Sequence, residues 1–170
     1  LSVGVVAKLL ANSTGVPATR REEYFVAGLL HDIGKLPLHR KFPDDYHRIC
    51  ESAKKGRDAL YRNEVKCLGI DHGAVGNIIG NKWHLGSTLL EILSDQHYPE
   101  NCAAHCREFV SIIALANQLA LQLNIGNAGY HFSDQAEIDF LMADTGVDRT
   151  MLGDLQGAVF GEIERAKLFL

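Results

Sequence analysis

The chain has 170 residues, is 46% hydrophobic and carries a formal net charge of −4, which is enough apolar material for one substantial core and points to a single domain over residues 1–170. That charge excludes a general attraction to nucleic acid or to an anionic membrane. The run from Val3 to Leu10 is broken by Gly4 and Lys8, Phe25 to Leu30 is too short to span a bilayer, and no signal peptide is evident, so a soluble cytoplasmic protein is expected.

In chain order, Ser2 to Ala11 reads as helix, with Val3, Val6, Ala7 and Leu10 at i, i+3, i+4 and i+7. Because the sequence starts at Leu1 already inside this pattern, it reads as part of a longer protein that lacks an N-terminal helical part. Arg20 to Leu36 is predicted as one helix, apolar nearly all round, suited to the centre of a bundle. A polar loop containing Pro37 and Pro43 follows, then helices from Asp44 to about Lys55 and from about Ala59 to Leu68. Asp71 suits the N-cap of the next helix, whose apolar face is Val75, Ile78, Ile79 and Trp83. Gly86-Ser87 opens another, carrying Leu89, Leu90 and Leu93 and ended by Pro99. His105 to Leu123 is the longest clear helix, with Phe109, Ile112, Ile113, Ala116 and Ala120 on one stripe. Gly126 to Tyr130 reads as a loop. Asp134 and Glu137 mark a capping-box-like start to a short helix, and Asp148 caps a final stretch dotted with Gly153, Gly157 and Gly161. With no βαβ alternation or repeat, the class is all-α, a helical bundle.

Cys50, Cys67, Cys102 and Cys106 form no CxxC pair, so reduced, mostly buried thiols are expected. Cys102, His105 and Cys106 cluster in sequence, but the second half of a tetrahedral zinc set is not evident.

The apolar run Gly28-Leu29-Leu30-His31-Asp32-Ile33-Gly34-Lys35-Leu36 carries charge where charge is costly unless paired, hydrogen-bonded or metal-bound. His31 and Asp32 suit one divalent ion, or a hydrogen-bonded pair at a helix end. His72 shares a face with Val75 and Ile79, His97 falls on the Leu89, Leu90, Leu93 stripe, and Asn117 lies on an apolar face, so all three point inward. Together these residues predict a polar pocket at the centre of the bundle.

The same residues carry a family likeness. The order of Gly28 to Leu36, Glu64, Leu68-Gly69-Ile70-Asp71-His72-Gly73-Ala74-Val75-Gly76, Trp83-His84-Leu85 and Gln96-His97-Tyr98-Pro99 resembles the C-terminal, HD-like part of the HDOD domain, a bacterial signalling relative of the HD-GYP phosphodiesterases in the HD superfamily of metal-dependent phosphohydrolases. The resemblance implies an all-helical fold and a regulatory module without general catalysis. It also implies what is missing. In active HD enzymes a histidine of an early helix, the His-Asp doublet and a late aspartate hold the first metal; Leu1 and Asn117 stand at the first and last of these places. An HD-GYP enzyme adds a histidine matching His72 and a His-His pair matching Gln96 and His97, and the GYP segment is absent here. The resemblance leaves His31, Asp32, His72 and His97 as metal ligands, with Gln96 and Asn117 as neutral donors around them. Such a set suits weak or partial occupancy by iron, manganese, nickel or zinc. Lys35 is either a phosphate contact, as in HD-GYP-like sites, or a solvated residue at a helix C-terminus.

The expected function is a non-catalytic bacterial signal-transduction module for protein interaction or ligand sensing. Its expected partners are other signalling proteins or domains of the full-length chain, with a nucleotide as a candidate ligand and neither nucleic acid nor membrane as partner. The alternative is a metal-dependent phosphohydrolase acting on a nucleotide or cyclic dinucleotide with a reduced ligand set; a metal- or redox-responsive sensor is a third class.

Overall fold

The computed structural model describes residues 1–126 and 133–168, whose regular secondary structure is entirely helical. The order is α1 (Ser2–Ser13), a 3-10 turn (Ala18–Arg20), α2 (Arg21–Leu30), α3 (Lys35–Lys41), α4 (Pro43–Gly56), α5 (Leu60–Leu68), α6 (His72–Lys82), α7 (Ser87–Asp95), a second 3-10 turn (Pro99–Asn101), α8 (Arg107–Gln122), α9 (Gln135–Thr145) and α10 (Arg149–Lys167). The all-α reading stands. The loop expected from Gly126 to Tyr130 lies, beyond its first residue, outside the described residues.

The central helix is α8, not α2. Of the 16 residues of α8, the 12 that are buried include both Ile112 and Ile113, so it is enclosed on nearly every side. By contrast α2 buries only Tyr24, Ala27 and Gly28, and leaves Val26 and Leu29 exposed. Around α8 pack α1, α2, α7 and α9, while α10 lies on α1. The glycines of α10 face open space, and Leu155, Val159 and Ile163 form its buried stripe. Each of those side chains contributes about 1.5–3 kcal/mol on burial, enough to outweigh three glycines at about 1 kcal/mol each. A second apolar cluster joins Leu38, Tyr46, Ile49, Ala53 and Leu60 of α3–α5 to Leu121 of α8.

The helix expected from Arg20 to Leu36 is interrupted at His31. Between α2 and α3 the backbone tightens to i, i+3 bonding, from Ile33 N–H to the Leu30 carbonyl (2.8 Å) and from Lys35 N–H to the Asp32 carbonyl (2.9 Å). The cause is tertiary, because Gly34 is pressed against α6: a Cβ placed there would sit 1.9 Å from the His72 carbonyl oxygen. Pro37 is in α3 rather than in a loop, within the first turn, where a missing N–H leaves no bond unmade. Pro43 is the first residue of α4.

The inner face of α6 also differs from the expected one. Ile78 and Trp83 are exposed, and the buried residues are His72, Gly73, Gly76 and Gly80, whose small size lets Leu90 and Leu93 of α7 approach the α6 backbone. Caps fall where the sequence puts them: Asp71 accepts from Ala74 N–H (2.8 Å), Asp148 from Met151 N–H (2.8 Å) and Asp134 from Ala136 N–H (2.9 Å). The Glu137 side chain does not close a capping box and instead accepts from Gln118 Nε2. Of the four cysteines only Cys106 is buried. Among the described residues no helix is long and apolar enough to cross a membrane.

Candidate metal centre

Three helix boundaries meet in one polar neighbourhood. His31 and Asp32 follow α2, His72 opens α6, and Gln96 and His97 follow α7. His31, His72 and Gln96 are buried, Asp32 and His97 partly so. His97 arrives here from the turn after α7 rather than from the leucine stripe within it, because the helix ends at Asp95.

Asp32 occupies the middle. Its Oδ2 lies 3.2 Å from His31 Nε2 and its Oδ1 3.2 Å from His72 Nε2. His72 Nε2 is in turn 2.8 Å from His97 Nε2. The donor atoms thus run in a chain from His31 through Asp32 and His72 to His97, which stacks on Tyr61 with ring centroids 4.2 Å apart.

The outer atoms of the imidazoles are fixed. His31 Nδ1 donates to the Gly28 carbonyl (2.8 Å), which turns its Nε2 toward Asp32. His72 Nδ1 donates to Glu64 Oε2 (2.6 Å), and the same carboxylate accepts the His72 backbone N–H (2.8 Å) and the Tyr46 hydroxyl (2.6 Å). A carboxylate behind a ligating histidine is the arrangement that orients such a ring toward a metal. Gln96 Nε2 donates to the His31 carbonyl (2.5 Å), tying the end of α7 to the His31 turn.

Facing inward, three buried atoms make no well-formed hydrogen bond: His31 Nε2 and Asp32 Oδ1, which have only the 3.2 Å contacts named above, and Gln96 Oε1. Such atoms call for a proton, a water or a cation. These donors and orphaned atoms are of the kinds that bind a divalent ion, but they run in a line rather than closing around one point, with His72 Nε2 and His97 Nε2 only 2.8 Å apart.

A second feature opposes it. Lys35, the first residue of α3, donates its ammonium to Asp32 Oδ2 at 2.6 Å. It is therefore neither solvated nor at a helix C-terminus, and its observed contact is a carboxylate. Burial opposes ionisation of Asp32, yet the charges of His31 and Lys35 and the contacts to His31 and His72 hold its carboxyl well below the usual range. Burial likewise works against a charged His72, but Asp32 and Glu64 raise it above the usual histidine value. Burial and then the His72 charge push His97 well below. The 2.8 Å contact between His72 Nε2 and His97 Nε2 requires one of the two nitrogens to carry a hydrogen.

Asn117 is buried on α8 and lines two cavities. One, of 190 Å³, is shared with Leu1, His31 and Asp32; the other, of 250 Å³, with Tyr61, Gln96 and His97. Leu1 and Asn117 therefore flank the His31-Asp32 doublet from α1 and α8. The sequence assigned no role to Glu64, whose signal was a carboxylate on the same helical face as Leu60 and Leu68 of α5, nor to Tyr46.

Compared with known proteins, residues 1–99 match the HDOD domain family. No curated protein matches the sequence. The fold is shared with an HDOD domain protein of unknown function from Geobacter sulfurreducens (TM-score 0.75, 18% identity, covering 95% of this chain and 57% of that one). It is also shared with a protein provisionally called a phosphohydrolase from Shewanella amazonensis SB2B (TM-score 0.66, 19% identity, covering 96% of this chain and 56% of that one). The chain thus spans little more than half the length of either. The family match runs from α1 through the His97 turn and takes in more than half of the chain, so the protein belongs to the HDOD domain family.

Proposed function

We propose that the protein is a non-catalytic module of bacterial signal transduction, acting in the cytoplasm through protein interaction or ligand sensing, with other signalling proteins or domains of its full-length chain as partners. The observation that carries this reading is the cavity beside His31 and Asp32, where Leu1 and Asn117 stand at the places the family resemblance gives to two further metal ligands. Metal-assisted phosphoester hydrolysis requires a tightly held cation with an open position to activate water. At Asp32 a divalent ion meets a resident positive charge. For a separation of about 4 Å at an effective dielectric of about 20, the repulsion is roughly 8 kcal/mol, about half the attraction that a carboxylate ligating at about 2.1 Å supplies on the same basis. The late-helix aspartate implied by the family resemblance is Asn117 here, which adds no second negative charge, and Leu1 has no lone pair to offer.

A second reading, a phosphohydrolase with a reduced ligand set acting on a nucleotide or cyclic dinucleotide, is favoured by the orphaned His31 Nε2, Asp32 Oδ1 and Gln96 Oε1. In that case a bound ion would supply Lewis acidity and an activated water. His31, Asp32, His72 and His97 would hold it, with Glu64 keeping the His72 ring in place.

The two are separated by incubating the chain with cyclic dinucleotides and nucleoside phosphates in the presence of manganese or iron(II), alongside melting curves over the same metal range. The expected result is no turnover above the metal blank. Metal at a hundredfold excess over Kd stabilises by about 2.7 kcal/mol, a rise of roughly 5–11 °C for a domain of this size. A shift well short of that at millimolar metal is expected, increased by Asn117→Asp. Turnover abolished by Asp32→Ala and His31→Ala overturns the non-catalytic reading.

A further inference from the structure

We propose that Glu91, His105 and Cys106 form a separate binding site for a zinc-class divalent ion, which clamps α7 to the start of α8. The ligating atoms of these residues lie within 4.8 Å of one another, and His105 Nε2 is 3.8 Å from Glu91 Oε1. A tetrahedral ion with bonds of about 2.0–2.3 Å sets its ligands about 3.3–3.8 Å apart. The cluster needs only to tighten slightly around an ion.

Two further observations point to a cation. Glu91 Oε2 is buried with no hydrogen-bond partner. The Cys106 sulfur lies against the same carboxylate and is itself buried, so a bound ion would sit between two groups that are both anionic once the thiol is deprotonated. Burial, and then Glu91, push that thiol up to about 11; a metal replaces its proton. Two negative charges and one neutral imidazole balance a divalent ion.

The mixture of donors sets the class. Thiolate and imidazole favour zinc over magnesium, calcium and manganese. His105, the most exposed of the three, gives the ion an entry path, and three protein ligands leave the fourth position to solvent. The sequence grouping of Cys102, His105 and Cys106 lacked its partner because Glu91 is on the preceding helix, and only the packing of α7 on α8 brings it in. The site is chemically distinct from the His31–His97 chain, which contains no sulfur. Its ligands stand on either side of the segment from Ile92 to Ala104, so an ion there fixes both ends of the stretch that carries His97.

The test is titration of the whole reduced chain with cobalt(II), followed by the near-ultraviolet thiolate-to-cobalt charge-transfer band, with zinc as competitor. The band is expected to saturate at one equivalent and to vanish when zinc is added. It should be lost in Cys106→Ser, and cobalt affinity at this band should fall about tenfold or more in His105→Ala and Glu91→Gln. It should persist in Cys67→Ser, which removes an exposed thiol on α5, and in His97→Ala, which alters the other site. Absence of a thiolate band in the wild type, or its survival in Cys106→Ser, overturns the proposal. If Cys106→Ser does not fold, unchanged affinity in both His105→Ala and Glu91→Gln overturns it equally, since those side chains are less buried.

Discussion

Replacing Glu64 by alanine removes the acceptor behind His72 and gives the sharpest measure of how the polar centre is held. The Glu64 carboxylate is fully buried, and three donors converge on it: the Tyr46 hydroxyl at 2.6 Å, the His72 backbone N–H at 2.8 Å and His72 Nδ1 at 2.6 Å. Burial opposes its ionisation, but these bonds and the His72 charge keep its carboxyl below the usual range. A single hydrogen bond to a charged group contributes about 1.5–3 kcal/mol. Three to one residue are not additive, and removing one partner of a buried charged pair costs about 3–5 kcal/mol, which is the expected loss for Glu64→Ala. Tyr46→Phe removes one bond and should cost about 1.5–3 kcal/mol. Because both changes break the same bond, the double variant should cost less than their sum by about 1–3 kcal/mol. Urea unfolding of the four proteins, with equal m-values as the check that the unfolded states match, measures the cycle. Against a total stability of about 5–15 kcal/mol these differences are large. A loss below about 1 kcal/mol for Glu64→Ala, or additivity within about 0.5 kcal/mol, would refute the network.

Gly34→Ala places a methyl carbon 1.9 Å from the His72 carbonyl oxygen and 2.7 Å from the Gly76 nitrogen; a thermal melt should show destabilisation of about 1–3 kcal/mol or more, and wild-type stability would remove the close approach as the cause of the break at His31. Ser111, fully buried on α8, donates to Asp144 Oδ2 at 2.6 Å, and Ser111→Ala should cost about 1.5–3 kcal/mol near neutrality. Although burial opposes it, Arg107 and Ser111 hold the Asp144 carboxyl below its ordinary value, so its contribution is present above the unfolded pKa and lost as pH falls through the folded one. The difference in stability between wild type and Asp144→Asn should therefore shrink on acidification below about pH 4, and a difference that grows there would contradict the assignment.

Periodicity made much of this fold legible. The stripes of α1, α7 and α8 are side-chain patterns, and the caps at Asp71 and Asp148 are local chemistry; both are written in neighbouring residues. What depended on distant residues was not legible. Near His31 the sequence offers Gly34 and Pro37 as local breakers, but the break arises where Gly34 meets the carbonyl of a residue far along the chain. The face of α6 was misassigned because a hydrophobic stripe is read from large side chains, whereas this helix packs through glycine. His72 was legible as an inward histidine from its spacing. His97 reached the same place by a turn after α7, whereas the contact of Lys35 with Asp32 is an i, i+3 pairing that the sequence spacing already allowed.

The glycine seat of α6 has an architectural consequence. A helix packed through side chains can shift when one of them adopts another rotamer, so changes anywhere on it are felt at its ends. Here the main chain itself rests on its neighbours: Gly34 abuts the His72 carbonyl, and Leu90 and Leu93 fill the space over Gly76 and Gly80. Little slack remains on that side. On the opposite side Ile78 and Trp83 are more than half exposed. The two sides of one helix are thereby decoupled, so the outer surface is open to change in shape and polarity while the geometry at the polar centre stays as the backbone sets it.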